Sequence, residues 1–70
     1  MFEVTPHLLT AREKEVMDLA AKGYTNAQIA FELGISPKTV ATYMSRIYTK
    51  LGVSNRTAAV AVYLLGSESK

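Results

Sequence analysis

The feature that most limits what this chain can fold into is a rapid alternation of helix signals in residues 25–51, TNAQIAFELGISPKTVATYMSRIYTKL. Thr25 followed three residues later by Gln28 is a capping-box pattern, in which each side chain satisfies an orphan backbone N–H of the other residue. A helix starts there. Ile29, Ala30 and Leu33 recur at helical spacing, and Gly34 follows where the chain needs a residue that tolerates a turn or left-handed conformation. Ser36-Pro37 then opens another helix, because serine accepts an N–H bond from the first turn and proline at the first helical position has no donor to lose. Two helices over 26–33 and 37–51, joined by a short turn, are the predicted centre of the fold.

The second of these helices divides into two faces when each residue is advanced by about 100°. Val40, Tyr43, Met44, Ile47 and Leu51 make an apolar stripe. Lys38, Ala41, Thr42, Ser45 and Thr49 lie on the other side, with Arg46 at its edge, and no acid is among them. A plain solvated face normally mixes glutamate with lysine. Small side chains instead let a helix backbone approach a surface closely, and Ser, Thr and Arg can reach base edges and phosphates. This is the expected insertion face. Ala30, Gly34 and Val40 are also spaced as in DNA-binding helix-turn-helix units, where alanine lets the helices touch, glycine makes the corner and valine plugs the gap.

Charge is distributed to match. Residues 1–33 carry a local balance of −2, whereas residues 34–56 hold Lys38, Arg46, Lys50 and Arg56 with no acid. A polyanion is the simplest partner for such a segment; the plainer alternative is four scattered cations solvating a helix. Seventy residues allow one small domain. With no cysteine, neither a disulfide framework nor a thiolate zinc site is available, so packing and caps must supply a total stability of about 4 to 10 kcal/mol. No apolar run approaches a membrane span and the N-terminus lacks a signal-peptide pattern, which makes a cytoplasmic chain without a membrane partner the default.

Residues 1–9 read as an arm or linker, because Pro6 discourages a helix; Phe2 and Val4 are placed to tuck against the core. His7 is the single histidine, and without a partnering ligand nearby it ranks as a surface or packing residue. Thr10 and Glu13 form a second capping box, predicting a helix over about 11–22 with Val16, Leu19 and Ala20 toward the core and Met17 flanking. Gly23 ends it and Tyr24 supplies the apolar contact that often follows such a cap. Glu13 is also placed to pair with a cation of the last helix, such as Arg56. Beyond Gly52 and Val53, Ser54 and Asn55 are good N-caps for a last helix over about 56–65, with residues 66–70 as a solvated tail. Its stretch from Ala58 to Leu65 is apolar all round. One face can pack on the first helix, and the remainder, Ala58, Ala61, Val62 and Leu65, predicts a dimer interface with its own copy. Coverage by the arm or by a neighbouring domain is the alternative.

These residues resemble the LuxR-type, or GerE-like, helix-turn-helix, also the output domain of NarL/FixJ response regulators. Leu9-Thr10-x-Arg12-Glu13-x-Glu15-Val16 is similar to its opening motif, Asn26 to Ala30 to its scaffold helix, Ile35-Ser36-x-Lys38-Thr39-Val40 to the start of its recognition helix, and Lys50-Leu51-Gly52-Val53-x-Asn55-Arg56 to its closing signature. The resemblance spans residues 9 to about 65. It implies an all-α, four-helix DNA-binding domain over 10–65, whose third helix enters the major groove and whose fourth dimerises. It further implies base contacts from Ala41, Thr42, Ser45 and, at the edge, Arg46, and backbone contacts from Thr25, Asn26, Lys38, Thr39 and Lys50. Tyr43 replaces a frequent histidine, with a hydroxyl still able to bond a phosphate. Family members often carry lysine where this chain has Ala41, so the DNA sequence preferred by relatives does not transfer.

The expected function is therefore a transcription regulator, or its output domain, that binds double-stranded DNA as a homodimer, with RNA polymerase as a further candidate partner and no cofactor or metal. A sigma-factor region-four-like domain that binds promoter DNA and RNA polymerase is the nearest alternative, although its end does not resemble the Lys50 to Arg56 signature. A helix-turn-helix used only to bind protein is the other. An enzyme is not expected, because one histidine, no cysteine and scattered surface acids assemble no nucleophile, base and orienter.

Overall fold

The structure is a computed structural model that describes the backbone of residues 9–69 and the side chains of residues 9–65. The expected positions of Phe2, Val4 and His7 in the arm lie outside the described residues. Four helices follow in order: α1 (Ala11–Ala21), α2 (Asn26–Leu33), α3 (Pro37–Leu51) and α4 (Arg56–Ser69). Each start is capped by the residue the sequence offers. Thr10 and Thr25 both form complete capping boxes, with Glu13 and Gln28 reaching back to the cap N–H at 2.9 and 2.8 Å. Ser36 accepts the Thr39 N–H at 3.1 Å ahead of Pro37, and the Asn55 side chain accepts from Ala58 at 2.8 Å.

The first three helices stop by one device. Each is followed, after Lys22 in α1 and directly in α2 and α3, by a glycine with positive φ and then by an apolar residue whose N–H returns to the preceding helix: Tyr24 to Leu19 O, Ile35 to Ala30 O and Val53 to Tyr48 O, at 3.2, 3.0 and 3.0 Å. Those bonds satisfy carbonyls that the helix ladder leaves open, and the three apolar side chains pack against the core. The αL conformation is needed most plainly at Gly34 (φ 70°), which turns the chain from α2 into α3.

The helix-turn-helix trio takes its expected places. Ala30 is buried against the turn and Val40 fills the gap beyond it, both essentially without solvent exposure. Helix α3 packs against each of the other three helices. Val40, Met44, Ile47 and Leu51 are its buried stripe, and they meet Val16, Met17 and Ala20 of α1, Ile29 and Ala30 of α2, and Ala59 and Tyr63 of α4. Fully burying one such aliphatic side chain contributes about 1.5 to 3 kcal/mol, so most of the fold's stabilisation converges on the helix that carries the exposed candidate face.

Three expectations are corrected. Met17, expected to flank the core, is fully buried, while Leu19 is only partly so. The inward stripe of α1 is Glu13, Val16, Met17 and Ala20, an i, i+3, i+4, i+7 row that carries Leu19 to its edge. Glu13 pairs with Lys50 at 2.8 Å rather than with Arg56, because the last turn of α3 brings Lys50 to the first turn of α1. Helix α4 also continues to Ser69 instead of ending near Leu65; a glycine such as Gly66 inside a helix costs only about 1 kcal/mol relative to alanine.

Candidate nucleic-acid interface

The three buried helix-packing directions around α3 leave one side of it free. Lys38, Ala41, Thr42, Ser45, Arg46 and Thr49 are all exposed on that side, and no carboxylate is among them. Two of the hydroxyls are committed. Thr42 Oγ1 donates to Lys38 O at 3.2 Å and Thr49 Oγ1 to Ser45 O at 3.3 Å, so each threonine's hydroxyl proton is used while its acceptor lone pairs remain. Ser45 contributes an exposed hydroxyl and Ala41 a methyl. The face is thin, weakly polar and flanked by the exposed cations Lys38 and Arg46.

The backbone-contact candidates are distributed around its edges. Thr25 and Thr39 are exposed at the starts of α2 and α3, with Thr25 engaged in its capping box and Thr39 Oγ1 2.9 Å from Ser36 Oγ. Because those caps use the N–H groups of Thr25, Gln28 and Thr39, the N–H groups left outside the helix ladders are Asn26 and Ala27 in α2 and Lys38 in α3, Pro37 having none. Tyr43 is half-buried and packs against the core. Asn26 is half-buried, and its Oδ1 accepts from Arg56 at 3.1 Å.

Lys50 sits differently from the exposed cations. Its ammonium contacts Glu13 Oε1 at 2.8 Å while its side chain keeps about a third of its exposure. Burial alone would raise the Glu13 carboxyl, but the bonds from Lys50 and the Thr10 N–H and hydroxyl outweigh it and hold the group below its ordinary value of 4.5. Glu13 is 3% exposed, the sole charged residue in the described core. Its identity as a capping residue was legible, but its ionic partner was not. The Arg56 clamp on Tyr24 O and Asn26 Oδ1 also went unforeseen; its one sequence signal was the Asn-Arg pair in the closing signature.

On α4, Leu65 and Ala61 of the expected dimer stripe are exposed, while Ala58 and Val62 are half-buried. Leu64, 45% exposed, joins that surface without having been singled out. Among the described residues no group of three or more His, Cys, Asp or Glu side chains could hold a metal ion, and no helix is long and apolar enough to cross a membrane.

The family model described as bacterial regulatory proteins, luxR family, matches residues 7–63. The chain belongs to the LuxR family. The probable transcriptional regulatory protein SgaR of Hyphomicrobium methylovorum is 52% identical over 56 residues, which cover 80% of this chain and 26% of SgaR. The probable transcriptional regulatory protein NarL of Mycobacterium tuberculosis (strain CDC 1551 / Oshkosh) is 52% identical over 54 residues, 77% of this chain and 25% of NarL. The chain thus spans about a quarter of the length of these curated relatives. Among solved structures, the transcription factor GerE matches with TM-score 0.78 and 41% identity over 83% of this chain and 87% of GerE. The response regulator ChrA of a heme-sensing two-component system matches with TM-score 0.75 and 48% identity, covering 77% of this chain and 27% of ChrA. The fold is therefore the GerE-like four-helix arrangement, and the chain carries the DNA-binding helix-turn-helix domain of a non-enzymatic regulator family. The family match reaches through the closing signature and into α4, the region in which a sigma-type domain was expected to differ.

Proposed function

We propose that this domain reads duplex DNA by laying the exposed face of α3 in the major groove, and that it does so as a dimer joined through α4, as the output domain of a bacterial transcription regulator acting in the cytoplasm. The observation that supports this most is the acid-free exposed row Lys38, Ala41, Thr42, Ser45, Arg46 and Thr49 on the helix whose opposite face is the centre of the core. Such a helix is held rigidly by its inner side and is free to make contacts with its outer one. In this reading Thr42, Ser45 and Arg46 address base edges, while Ala41 and the Thr42 methyl suit a thymine methyl. Thr25, Asn26, Lys38, Thr39, Tyr43 and Lys50 hold the sugar-phosphate backbone, with the positive ends of α2 and α3 directed at phosphates. Exposed Leu65 and Ala61, beside Ala58 and Val62, supply the twofold contact on α4, which places two recognition helices on two half-sites.

The reading is tested by selecting bound duplexes from a random pool and then titrating the winner with salt. A dimer that makes about six phosphate contacts should lose affinity with a log–log slope of about −5. Thr42→Ala and Ser45→Ala should each relax base preference at one position, at a cost of about 1 to 3 kcal/mol on the selected site. Equal losses on selected and random DNA would contradict their assignment to bases.

A further inference from the structure

The first residue of α4 reaches across the molecule to the start of α2. Arg56 donates through Nη1 to Asn26 Oδ1 at 3.1 Å and through Nη2 to the Tyr24 carbonyl. A guanidinium has donors and no acceptor, so only the oxygen end of the Asn26 amide can face it. The amide is thereby fixed in one orientation, with its two Nδ2 donors at the opposite end. Among the described residues no buried side-chain nitrogen or oxygen lacks a partner and none of them bonds Nδ2, so solvent reaches it. It stands at the first turn of α2, where the capping box uses the Thr25 and Gln28 N–H groups and leaves those of Asn26 and Ala27 outside the ladder.

We infer that Arg56 is a positioning residue: by occupying Asn26 Oδ1 it presents the Asn26 amide to a DNA phosphate as a donor and never as an acceptor. Without that clamp the amide can rotate and turn a lone-pair oxygen toward an anion. The same guanidinium rests on two neutral oxygens, Asn26 Oδ1 and the Tyr24 carbonyl, beside the α2 N-terminus. This inference rests on the DNA-binding reading above and adds a residue that makes no phosphate contact of its own.

The decisive variant is Asn26→Asp. It keeps an oxygen on Arg56, now as an ion pair, and places an acid in a helix first turn, where the dipole favours it; the fold is retained while the donor becomes an anion. The expected result for the full chain, by fluorescence anisotropy on duplexes of selected and of mixed sequence, is an unchanged or raised thermal midpoint with affinity lowered roughly tenfold or more on every sequence alike. A cycle with Arg56→Lys, which keeps the charge and loses the fork, separates positioning from folding. It should cost severalfold in affinity when residue 26 is asparagine and nothing further in an Asn26→Ala background. Parent-level binding by Asn26→Asp, or the same loss from Arg56→Lys in both backgrounds, overturns the inference while leaving the DNA-binding reading intact. A parent chain without salt-sensitive affinity for duplex DNA overturns both.

Discussion

A carboxylate on the inward stripe of α1 ties the start of that helix to the end of α3, the proposed recognition helix. Glu13 is buried, accepts the Thr10 N–H as half of a capping box, and takes the Lys50 ammonium from the end of α3. Its replacement by alanine removes Oε1, the one oxygen that accepts from both Thr10 and Lys50, and loss of the cap together with the ion pair should lower stability by about 2 kcal/mol. Glutamine keeps one neutral carbonyl oxygen in place of the shared Oε1 and should lose roughly half as much; equal denaturant midpoints for the parent and Glu13→Ala would refute this account. The sign of the pH dependence follows from the depressed Glu13 carboxyl. Its contribution is complete above the unfolded value of 4.5 and disappears as pH falls through the lower folded value. Acid titration of the parent should therefore show a loss that Glu13→Gln lacks, and parallel curves would contradict it. Tyr63 runs the other way. Burial, reinforced by its 2.5 Å bond to Asp18, pushes the phenol from 10.0 to about 12, so the stability it contributes is whole below pH 10.0 and is lost as pH rises through about 12. Tyr63→Phe should remove that alkaline loss from a stability curve.

At the scale of elements, the starts and stops were legible because they depend on residues within four positions of one another. Capping boxes at Thr10 and Thr25, the Ser36-Pro37 start and the glycine-apolar stops each satisfy backbone groups locally, and each appears where the spacing placed it. The partners of Glu13 and Arg56 were not legible. A sequence gives the reach of a side chain but not the angle at which helices cross, and both contacts join residues at least 30 positions apart. The end of α4 failed for a different reason, since Gly66 and the serines beyond it read as a stop although a helix tolerates them. The turn between α2 and α3 offers a clean test of the local logic. A Cβ at Gly34 would meet nothing within 4 Å, yet φ there is +70°, so Gly34→Ala should cost about 1 kcal/mol through conformation alone. An unchanged thermal midpoint would show that the turn relaxes. On α4, polar replacement of Val62 and Leu65 together should abolish paired half-site occupancy at protein concentrations where the domain remains folded. Sedimentation of the parent as a monomer with undiminished DNA cooperativity would remove α4 from the interface.

For the whole molecule, one helix supplies both the centre of the core and the proposed contact surface. The stripe Val40, Met44, Ile47 and Leu51 was legible as apolar periodicity and the opposite face as its acid-free complement, but the sequence could not show that three helices close around α3 and leave only that face open. The cost of this economy is sensitivity. Ile47 is fully buried at the meeting of the helices, and Ile47→Ala should cost about 2 to 5 kcal/mol, a large part of what a domain of this size possesses. The charge pattern is also sharper than composition suggested: Lys50 is paired with Glu13 while staying partly exposed, Arg56 rests on neutral oxygens, and Lys38 and Arg46 stand exposed on the proposed contact face. The central claim is that this face, and no other, enters the groove. Ser45→Glu tests it most directly, because Ser45 is exposed and its side chain holds no part of the fold, while a carboxylate there would meet base edges and phosphates of the duplex. Duplex affinity measured by anisotropy should fall about 100-fold or more at an unchanged thermal midpoint, and binding at the parent's affinity would show that DNA is held elsewhere.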